Sequence, residues 1–283
     1  MSRRFQQVDV FGTGPCTGNP LAVVLDADGL TTEQMLRFTR WMNLSETTFV
    51  LPPTSPDADY QVRIFTLAHE LDFAGHPTLG TCHAWLAAGG SPRERDRIVQ
   101  ECGAGLVPIR RADAGLAFAA PPLVRSGPLD EPELERALGA LGIDRSEVVD
   151  AAWVDNGPGW AGILLADADH VLAVEPMTGR PEGEGSLDLG VIGPHPPGSE
   201  HAFEVRGLFS DDQGVLREDP VTGSLNASLA QWLLASGRAR APYAARQGTR
   251  LGRAGHVRID QDGDGSVWVG GETATLVSGE LDL

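Results

Sequence analysis

The sequence has few cysteines, few basic side chains and no long apolar run. Its three cysteines show neither metal-type nor redox-type spacing, which favours reduced thiols over a disulfide framework. The sequence has no run of about 18 apolar residues, the length that would predict a membrane span. Its first residues also lack the apolar region of a secretory signal. We therefore expect a cytoplasmic protein that has no membrane partner.

The shortage of basic residues restricts the expected partners further. The 283 residues include 22 Lys and Arg against 39 Asp and Glu, so the formal net charge is −17 at pH 7. Nucleic acids and anionic membranes are bound by basic surfaces, and neither is expected as a partner. A small anionic substrate would need local groups, and the free N–H groups at helix N-termini are suited to hold it.

Metal and cofactor motifs are missing as well. His69, His76 and His83 recur every seven residues, but a strand, a turn and a helix are predicted across them, so they would not converge on a metal. The segment 260–271 opens like a calcium loop, yet the last ligand position of that loop holds glycine. The glycines of the segment 12–18 miss the dinucleotide fingerprint by one residue. We therefore expect neither a metal nor a cofactor.

What the sequence does contain is a strand–turn–helix pattern that occurs twice, over residues 63–80 and over residues 206–224. Each copy predicts a buried strand that is followed by an apolar helix. This predicts two similar halves, each with strands around one buried helix, that face each other across a cleft. At an offset of 143 residues (206 minus 63), the matches are Arg63 with Arg206, Pro77 with Pro220, Gly80 with Gly223, and Thr81 with Ser224.

Local signals predict several other elements. Thr31 is a suitable cap for a helix over residues 32–42, which has one apolar side. Residues 114–120 are typical of a strand, and the prolines that follow it, Pro121-Pro122, mark a candidate domain boundary. Residues 175–200 are rich in glycine, proline and acidic side chains, which predicts an irregular connection.

The two predicted helix starts are candidate functional features. Because proline fits the first helical position, Pro77 places His76 at the cap, where Ser, Thr, Asp or Asn is usual. A histidine there is typical of proton transfer or of a polar substrate contact, and a hydrogen bond within a turn is the structural alternative. Asp219 also precedes a proline, which is common at helix starts, but its pairing with the histidine stretch favours a functional role. The N–H groups of Gly223 and Ser224 can hold a carboxylate.

Glu46 lies between hydroxyl side chains, directly ahead of an apolar strand. A lone glutamate is usually a solvated surface group. If it is buried in a cleft with a raised pKa, it becomes a general acid and base that suits the movement of a proton on carbon.

Taken in order, these stretches resemble the PhzF family, the phenazine-biosynthesis isomerases that share the diaminopimelate epimerase fold. The resemblance implies an α+β fold of two pseudo-symmetric domains, each a mostly antiparallel sheet wrapped around a central helix. We expect these domains at residues 1–121 and 122–283, and in some relatives with this fold the last strand returns to the first domain. The motifs are VDVF (8–11), GNPLAVVL (18–25), NLSETTFVLPP (43–53), RIFT (63–66), GHPTLG (75–80), EDPVTGS (218–224), QG (247–248), LGR (251–253) and VGG (269–271).

The resemblance also implies roles for individual residues. The family's catalytic glutamate falls on Glu46, its histidine on His76 and its aspartate on Asp219. The substrate-contacting positions of the expected site are Ser45, Gly75, Gly80, Thr81, Gly223 and Ser224. Family members are commonly homodimers, so a homodimer is expected. The two cysteines that related amino-acid epimerases use are absent from the two helix starts, so a two-thiol mechanism is excluded.

Three functions stay open at this point. The first is a cofactor-independent isomerase of a small carboxylate, similar to trans-2,3-dihydro-3-hydroxyanthranilate isomerase. The second is an epimerase or racemase of an amino or hydroxy acid, with Glu46 and His76 as opposed acid and base. The third is a non-catalytic carboxylate binder. Leu67, Asp72 and Leu225 depart from the family pattern, which leaves the substrate open.

Overall fold

A computed structural model describes residues 2–112, 115–179, 181, 185–211 and 213–283. The chain divides into two compact units, Met1–Ala119 with Gly270–Leu283, and Ala120–Val269. We call these the first unit and the second unit; the domain assignment 1–121 and 122–283 stays a prediction. The fold is α+β, and most of the strand pairings are antiparallel. Among the described residues, no helix combines the length and the hydropathy that a membrane span requires.

The described residues of the first unit form sheet strands and two helices. Strand pairs β1–β2, β3–β4, β6–β7 and β7–β8 are antiparallel, whereas β2–β3 and β4–β6 are parallel. Its elements are β1 (Ser2–Val10), β2 (Asn19–Val24), α1 (Thr32–Met42), β3 (Glu46–Leu51), β4 (Tyr60–Thr66), β5 (Glu70–Leu71), α2 (Gly75–Ala87), β6 (Arg97–Cys102), β7 (Gly105–Ala112) and β8 (Gly115–Ala119).

Helix α2 is buried because its sequence is apolar nearly all round, as predicted. Gly80 lets the helix approach the strands closely, since a Cβ there would lie 2.6 Å from a methyl group of Leu21 and 2.9 Å from one of Val10. At the far end of the helix, Trp85 stacks on Tyr60 with ring centroids 5.0 Å apart.

Strand β3 of the first unit is covered on both faces. Phe49 of β3 packs edge-on against Phe38 of α1, and the neighbouring residue Thr48 bonds Thr81 of α2. Because side chains alternate along a strand, one face of β3 is directed at α1 and the other at α2. Helix α1 follows the prediction: Thr31 is its N-cap and its side chain accepts a hydrogen bond from the N–H of Gln34.

The second unit has strand pairings of the same kinds. Pairs β9–β10, β10–β11, β12–β13, β13–β14 and β15–β16 are antiparallel, whereas β11–β12 and β13–β15 are parallel. Its elements are β9 (Arg125–Pro128), α3 (Glu131–Leu141), β10 (Val148–Asp155), β11 (Trp160–Leu165), α4 (Ala168–Ala173), β12 (Asp188–Pro194), β13 (Phe203–Ser210), β14 (Leu216–Asp219), α5 (Gly223–Ala235), β15 (Tyr243–Gln247) and β16 (Gly255–Gln261). Strand β17 (Val267–Gly271) includes the boundary between Val269 and Gly270. The last strand, β18 (Thr273–Asp282), belongs to the first unit and pairs there with β1.

The prediction of an irregular connection over residues 175–200 was wrong for 188–194, which form β12. The glycines that suggested a loop are there for close packing: a Cβ on Gly190 would lie 2.4 Å from Leu225, and one on Gly193 would lie 2.3 Å from the carbonyl oxygen of Asp167. Residues 180 and 182–184 of that connection, and residue 114 of the predicted strand, lie outside the described residues.

Candidate active site

Helix α2 begins at Gly75, and Ala74 is its N-cap. His76 is therefore the second helical residue and Pro77 the third, so the prediction of His76 as the cap was wrong. Proline is tolerated throughout a first turn because the N–H groups there have no acceptor within the helix. The first intrahelical donor is Thr78, whose N–H bonds the carbonyl of Ala74 at 3.1 Å. The N–H groups of Gly75 and His76 precede this bond and are suited to face an anion.

The ring of His76 is buried and held in one orientation. Its Nδ1 lies 3.3 Å from the side-chain nitrogen of Asn19, the first residue of β2. With this amide as donor, Nδ1 is the acceptor and the ring proton lies on Nε2. The side chain is 5% exposed, and burial lowers the pKa of His76 to about 3. The imidazole is therefore neutral at neutral pH.

Glu46 lies opposite that proton. Its Oε2 is 3.4 Å from Nε2 of His76, and its side chain is 17% exposed, so it is not a solvated surface group. Glu46 is the first residue of β3 and pairs across the sheet with Thr66 of β4. It shares a strand face with Thr48, which contacts α2. A carboxylate and a neutral imidazole in this contact can hold and orient a proton for transfer.

The other predicted residues of the first unit have different positions. Gly80 and Thr81 lie in the second turn of α2, where N–H groups bond carbonyls four residues earlier, so their N–H groups are not available to hold a substrate carboxylate. The hydroxyl of Thr81 donates to Thr48 Oγ1 at 2.8 Å. Ser45 is half-buried directly before β3, and Gly75 is the buried first residue of α2. Substrate contacts of these residues stay predictions.

In the second unit, Asp219 ends strand β14 rather than capping a helix, which corrects the predicted helix start. It pairs with Gly207 of β13 and is 8% exposed. Its carboxylate accepts a hydrogen bond from the hydroxyl of Thr222 at 2.6 Å, and its carbonyl accepts one from the side chain of Gln247 at 3.2 Å. The strand and these bonds hold the carboxylate in place.

Helix α5 begins at Gly223 after the N-cap Thr222, which makes no side-chain cap bond. The N–H groups of Gly223 and Ser224 precede the first intrahelical donor, Asn226. They are therefore placed as an anion site requires. The indole N–H of Trp160 donates to Oγ of Ser224 at 3.3 Å, which orients that hydroxyl.

The two strand–turn–helix segments match in structure, but at a different sequence offset in their helices than in their first strands. Phe65 pairs with Glu70 five residues later, whereas Leu208 pairs with Glu218 ten residues later. The longer second hairpin changes the offset from 143 to 148 between the two segments. The matches of Gly80 with Gly223 and of Thr81 with Ser224 are therefore not structural equivalents. His76 and Ser224 are both the second residue of a thirteen-residue helix.

Asp188 is a candidate residue that the sequence reasoning missed. It begins β12 as Glu46 begins β3, each strand being antiparallel to the next in its unit. Its parallel neighbour is Trp160, and Gly190 on the same strand face packs on α5. Burial raises the pKa of Asp188 to about 6, the backbone N–H of Ser210 lowers it, and the charge of Asp155 raises it. The sequence signal for Asp188 is an acidic residue directly ahead of an apolar strand. It was missed because this region was predicted to be an irregular connection.

Comparisons with known proteins agree with this architecture. The family model for phenazine biosynthesis-like protein (PhzC-PhzF) matches residues 8–279. The Schizosaccharomyces pombe protein named antisense-enhancing sequence 1 is 33% identical over 98% of this chain and 97% of its own. The trans-2,3-dihydro-3-hydroxyanthranilate isomerase of Pseudomonas aeruginosa is 32% identical over 99% of both chains.

A solved structure gives the same result. A predicted epimerase from Pseudomonas aeruginosa has a TM-score of 0.78 and 27% identity, with 99% of each chain covered. The matches extend over nearly the whole chain in sequence and in fold. The chain belongs to the phenazine biosynthesis-like family, PhzC-PhzF.

Proposed function

We propose that this protein is a cofactor-independent isomerase that moves a proton between carbons of a small carboxylate, similar to trans-2,3-dihydro-3-hydroxyanthranilate isomerase. The contact between Glu46 and His76 carries the proposal, because it places a carboxylate against a neutral imidazole at a buried helix start. The 32% identical relative that bears this enzyme name supports the reaction class.

Glu46 acts as the proton carrier in this proposal. Its carboxylate takes a proton from a carbon next to an unsaturated or carbonyl system, so that a C–H bond breaks and an O–H bond forms. This O–H exchanges its proton with water and then protonates a second carbon, so that an O–H bond breaks and a new C–H bond forms. A positioned group of this kind contributes about 10²–10⁴-fold to a rate.

His76 orients the carboxylate in this proposal and is not the proton carrier. Its pKa of about 3 keeps the ring neutral at the pH at which the enzyme works. Nε2 of His76 lies 3.4 Å from Oε2 of Glu46, and its N–H can steady the charge that the carboxylate regains after it releases the proton.

The substrate carboxylate requires hydrogen-bond donors because the chain has an excess of acidic residues. The free N–H groups of Gly223 and Ser224 fit this role, and a helix N-terminus adds a favourable dipole. For Asp219 and the hydroxyl of Ser224, polar contacts with a substrate are supported by the family resemblance alone.

Incubation with trans-2,3-dihydro-3-hydroxyanthranilate in D₂O tests the proposal. We expect deuterium to enter a ring carbon, detected by NMR, and we expect Glu46→Gln to slow this by about 10²–10⁴-fold. Glu94→Gln, at an exposed ion pair with Arg97, is the matched control and should keep full activity. Full activity in Glu46→Gln would show that another group carries the proton.

Epimerisation is the alternative, and the relative named a predicted epimerase keeps it in consideration. Two-base inversion requires groups on opposite faces of one carbon. The oxygen of Glu46 and the nitrogen of His76 are 3.4 Å apart, too close for a carbon to lie between them. Inversion at one carbon without migration of unsaturation would identify an epimerase.

A non-catalytic binder is the remaining alternative. Ligand-induced thermal shifts without turnover, retained in Glu46→Gln, would identify a binder.

We also propose that the two units are pseudo-symmetric and that the protein is a cytoplasmic homodimer. The first point is supported by strand pairing: β1–β2, β2–β3, β3–β4 and β4–β6 alternate antiparallel and parallel, as do β10–β11, β11–β12, β12–β13 and β13–β15. In an experimental structure, superposing β4 on β13 should bring Gly75 onto Gly223.

The proposed homodimer is tested by light scattering, which should give a mass twice the 30.0 kDa of the chain.

A further inference from the structure

A cluster of imidazole and carboxylate side chains lies in the second unit and takes no part in the proposed reaction. Glu200 and His201 belong to the connection between β12 and β13, and His256 belongs to β16. One ligand atom from each of these three residues lies within 4.8 Å of the other two. The ring nitrogens Nε2 of His201 and Nδ1 of His256 are 2.9 Å apart.

We propose that Glu200, His201 and His256 form a binding site for a late divalent transition metal ion such as Zn²⁺. Two imidazole nitrogens and one carboxylate oxygen are a common donor set for this ion, with a fourth position left to water. Donors bound to one Zn²⁺ at about 2.0–2.1 Å lie roughly 3–4 Å from one another. The observed separations reach this geometry through small side-chain rotations.

The surroundings of the cluster support a bound cation. Glu204 is buried, and its carboxylate accepts from Nε2 of His195 at 3.1 Å. The His195 ring lies 6.4 Å from the His201 ring, so this pair flanks the ligand set. Arg246 pairs with Glu204 on one neighbouring strand and with His256 on the other, and its positive charge opposes a bound cation. Its Nε is engaged with the hydroxyl of Thr249 at 3.1 Å, and Glu204 offsets its charge.

A metal ion at this site would cross-link two parts of the second unit and stabilise its fold. Residues 195–202 connect two strands, and a shared ion would tie that connection to β16. A ligand that binds only the folded chain stabilises it, so Zn²⁺ at 100 times its dissociation constant should raise the melting temperature by about 5 °C.

The experiment uses the full-length protein without a histidine tag and with Cys16→Ser, since Cys16 is an exposed thiol. Titration with Zn²⁺ or Co²⁺ by calorimetry should give one bound equivalent per chain, and the Co²⁺ spectrum should lack a sulfur-to-metal band. His201→Ala with His256→Ala should abolish binding and the thermal shift. His170→Ala is the matched control, because this exposed histidine of the same unit pairs with Asp167.

A second variant covers the case in which the double variant does not fold. Glu200 is exposed, so Glu200→Gln leaves the contact between the two imidazoles in place and should weaken Zn²⁺ binding by about tenfold or more. If the parent chain binds no equivalent, or if either Glu200→Gln or a folded double variant binds Zn²⁺ as the parent does, the proposal is overturned. The close pair would then be a hydrogen bond between two imidazoles.

Discussion

The segments 60–87 and 203–235 have the same architecture and different environments. Each is an antiparallel strand pair followed by a buried helix of thirteen residues, and each has an arginine–glutamate pair across the hairpin. The side chains of Arg63 and Glu70 are 27% and 37% exposed, whereas those of Arg206 and Glu218 are 3% and 10% exposed. The same contact is thus a surface ion pair in one unit and a buried one in the other.

The helix starts differ in chemistry as well. The second helical residue is His76 in one segment and Ser224 in the other, and the acid that opens the corresponding strand is Glu46 or Asp188. The same local architecture thus places a carboxylate–imidazole contact at one helix start and a serine hydroxyl at the other. The two helix starts differ in the second helical residue and in the acid that opens the corresponding strand.

The largest expected effect separates the two ion pairs. Arg206→Met should lower the free energy of unfolding by about 3–5 kcal/mol, because it leaves Glu218 buried without its partner and removes bonds to the carbonyls of Val171 and Val174. Arg63→Met should cost at most about 1 kcal/mol, because that pair is partly solvated. Urea unfolding of both variants measures this, and equal losses would mean that burial does not distinguish the two segments.

The second prediction concerns Asp188 and pH. Its folded-state pKa is about 6, above the 3.8 that is usual for an aspartate, so the folded chain holds its proton to higher pH than the unfolded chain. The stability that this group contributes is complete below about pH 4 and is lost as the pH rises through about 6. Across that window the loss should approach about 3 kcal/mol.

Asp188→Asn provides the measurement for this prediction. The variant cannot ionise there, so the wild type should lose about 3 kcal/mol relative to it between pH 4 and pH 8 in urea unfolding. A difference between the two proteins that is constant with pH would contradict the buried, proton-holding environment assigned to Asp188.

The smallest effect tests close packing at α2. Gly80→Ala should cost about 1–3 kcal/mol, because the new methyl group would meet Leu21 and Val10. Gly139→Ala is the control, since nothing lies within 4 Å of a Cβ at that exposed position of α3, and it should stabilise by about 0.5–1 kcal/mol. If thermal melting shows both variants to be stabilised, the packing argument for Gly80 fails.

Local signals predicted some elements well. Thr31 and the apolar pattern behind it predicted α1 over residues 32–42, and the structure has the helix at Thr32–Met42 with that cap. The cap and the periodicity lie within one turn or two, so neighbouring residues decide the outcome. Strand β12 was missed for the opposite reason, because its glycines are selected by contacts with Asp167 and Leu225, which are distant in the chain.

By itself, the sequence determined the family, the two buried helices and the carboxylate and histidine that carry the proposed chemistry, because these depend on residue type and order. The tertiary structure decided where each helix begins, which hairpin is five residues longer and which ion pair is buried. It also brought His76 against Glu46 and Asn19. Those outcomes depend on register and burial, since a carboxylate or an imidazole acquires its pKa and its partner only from the strands that pack around it.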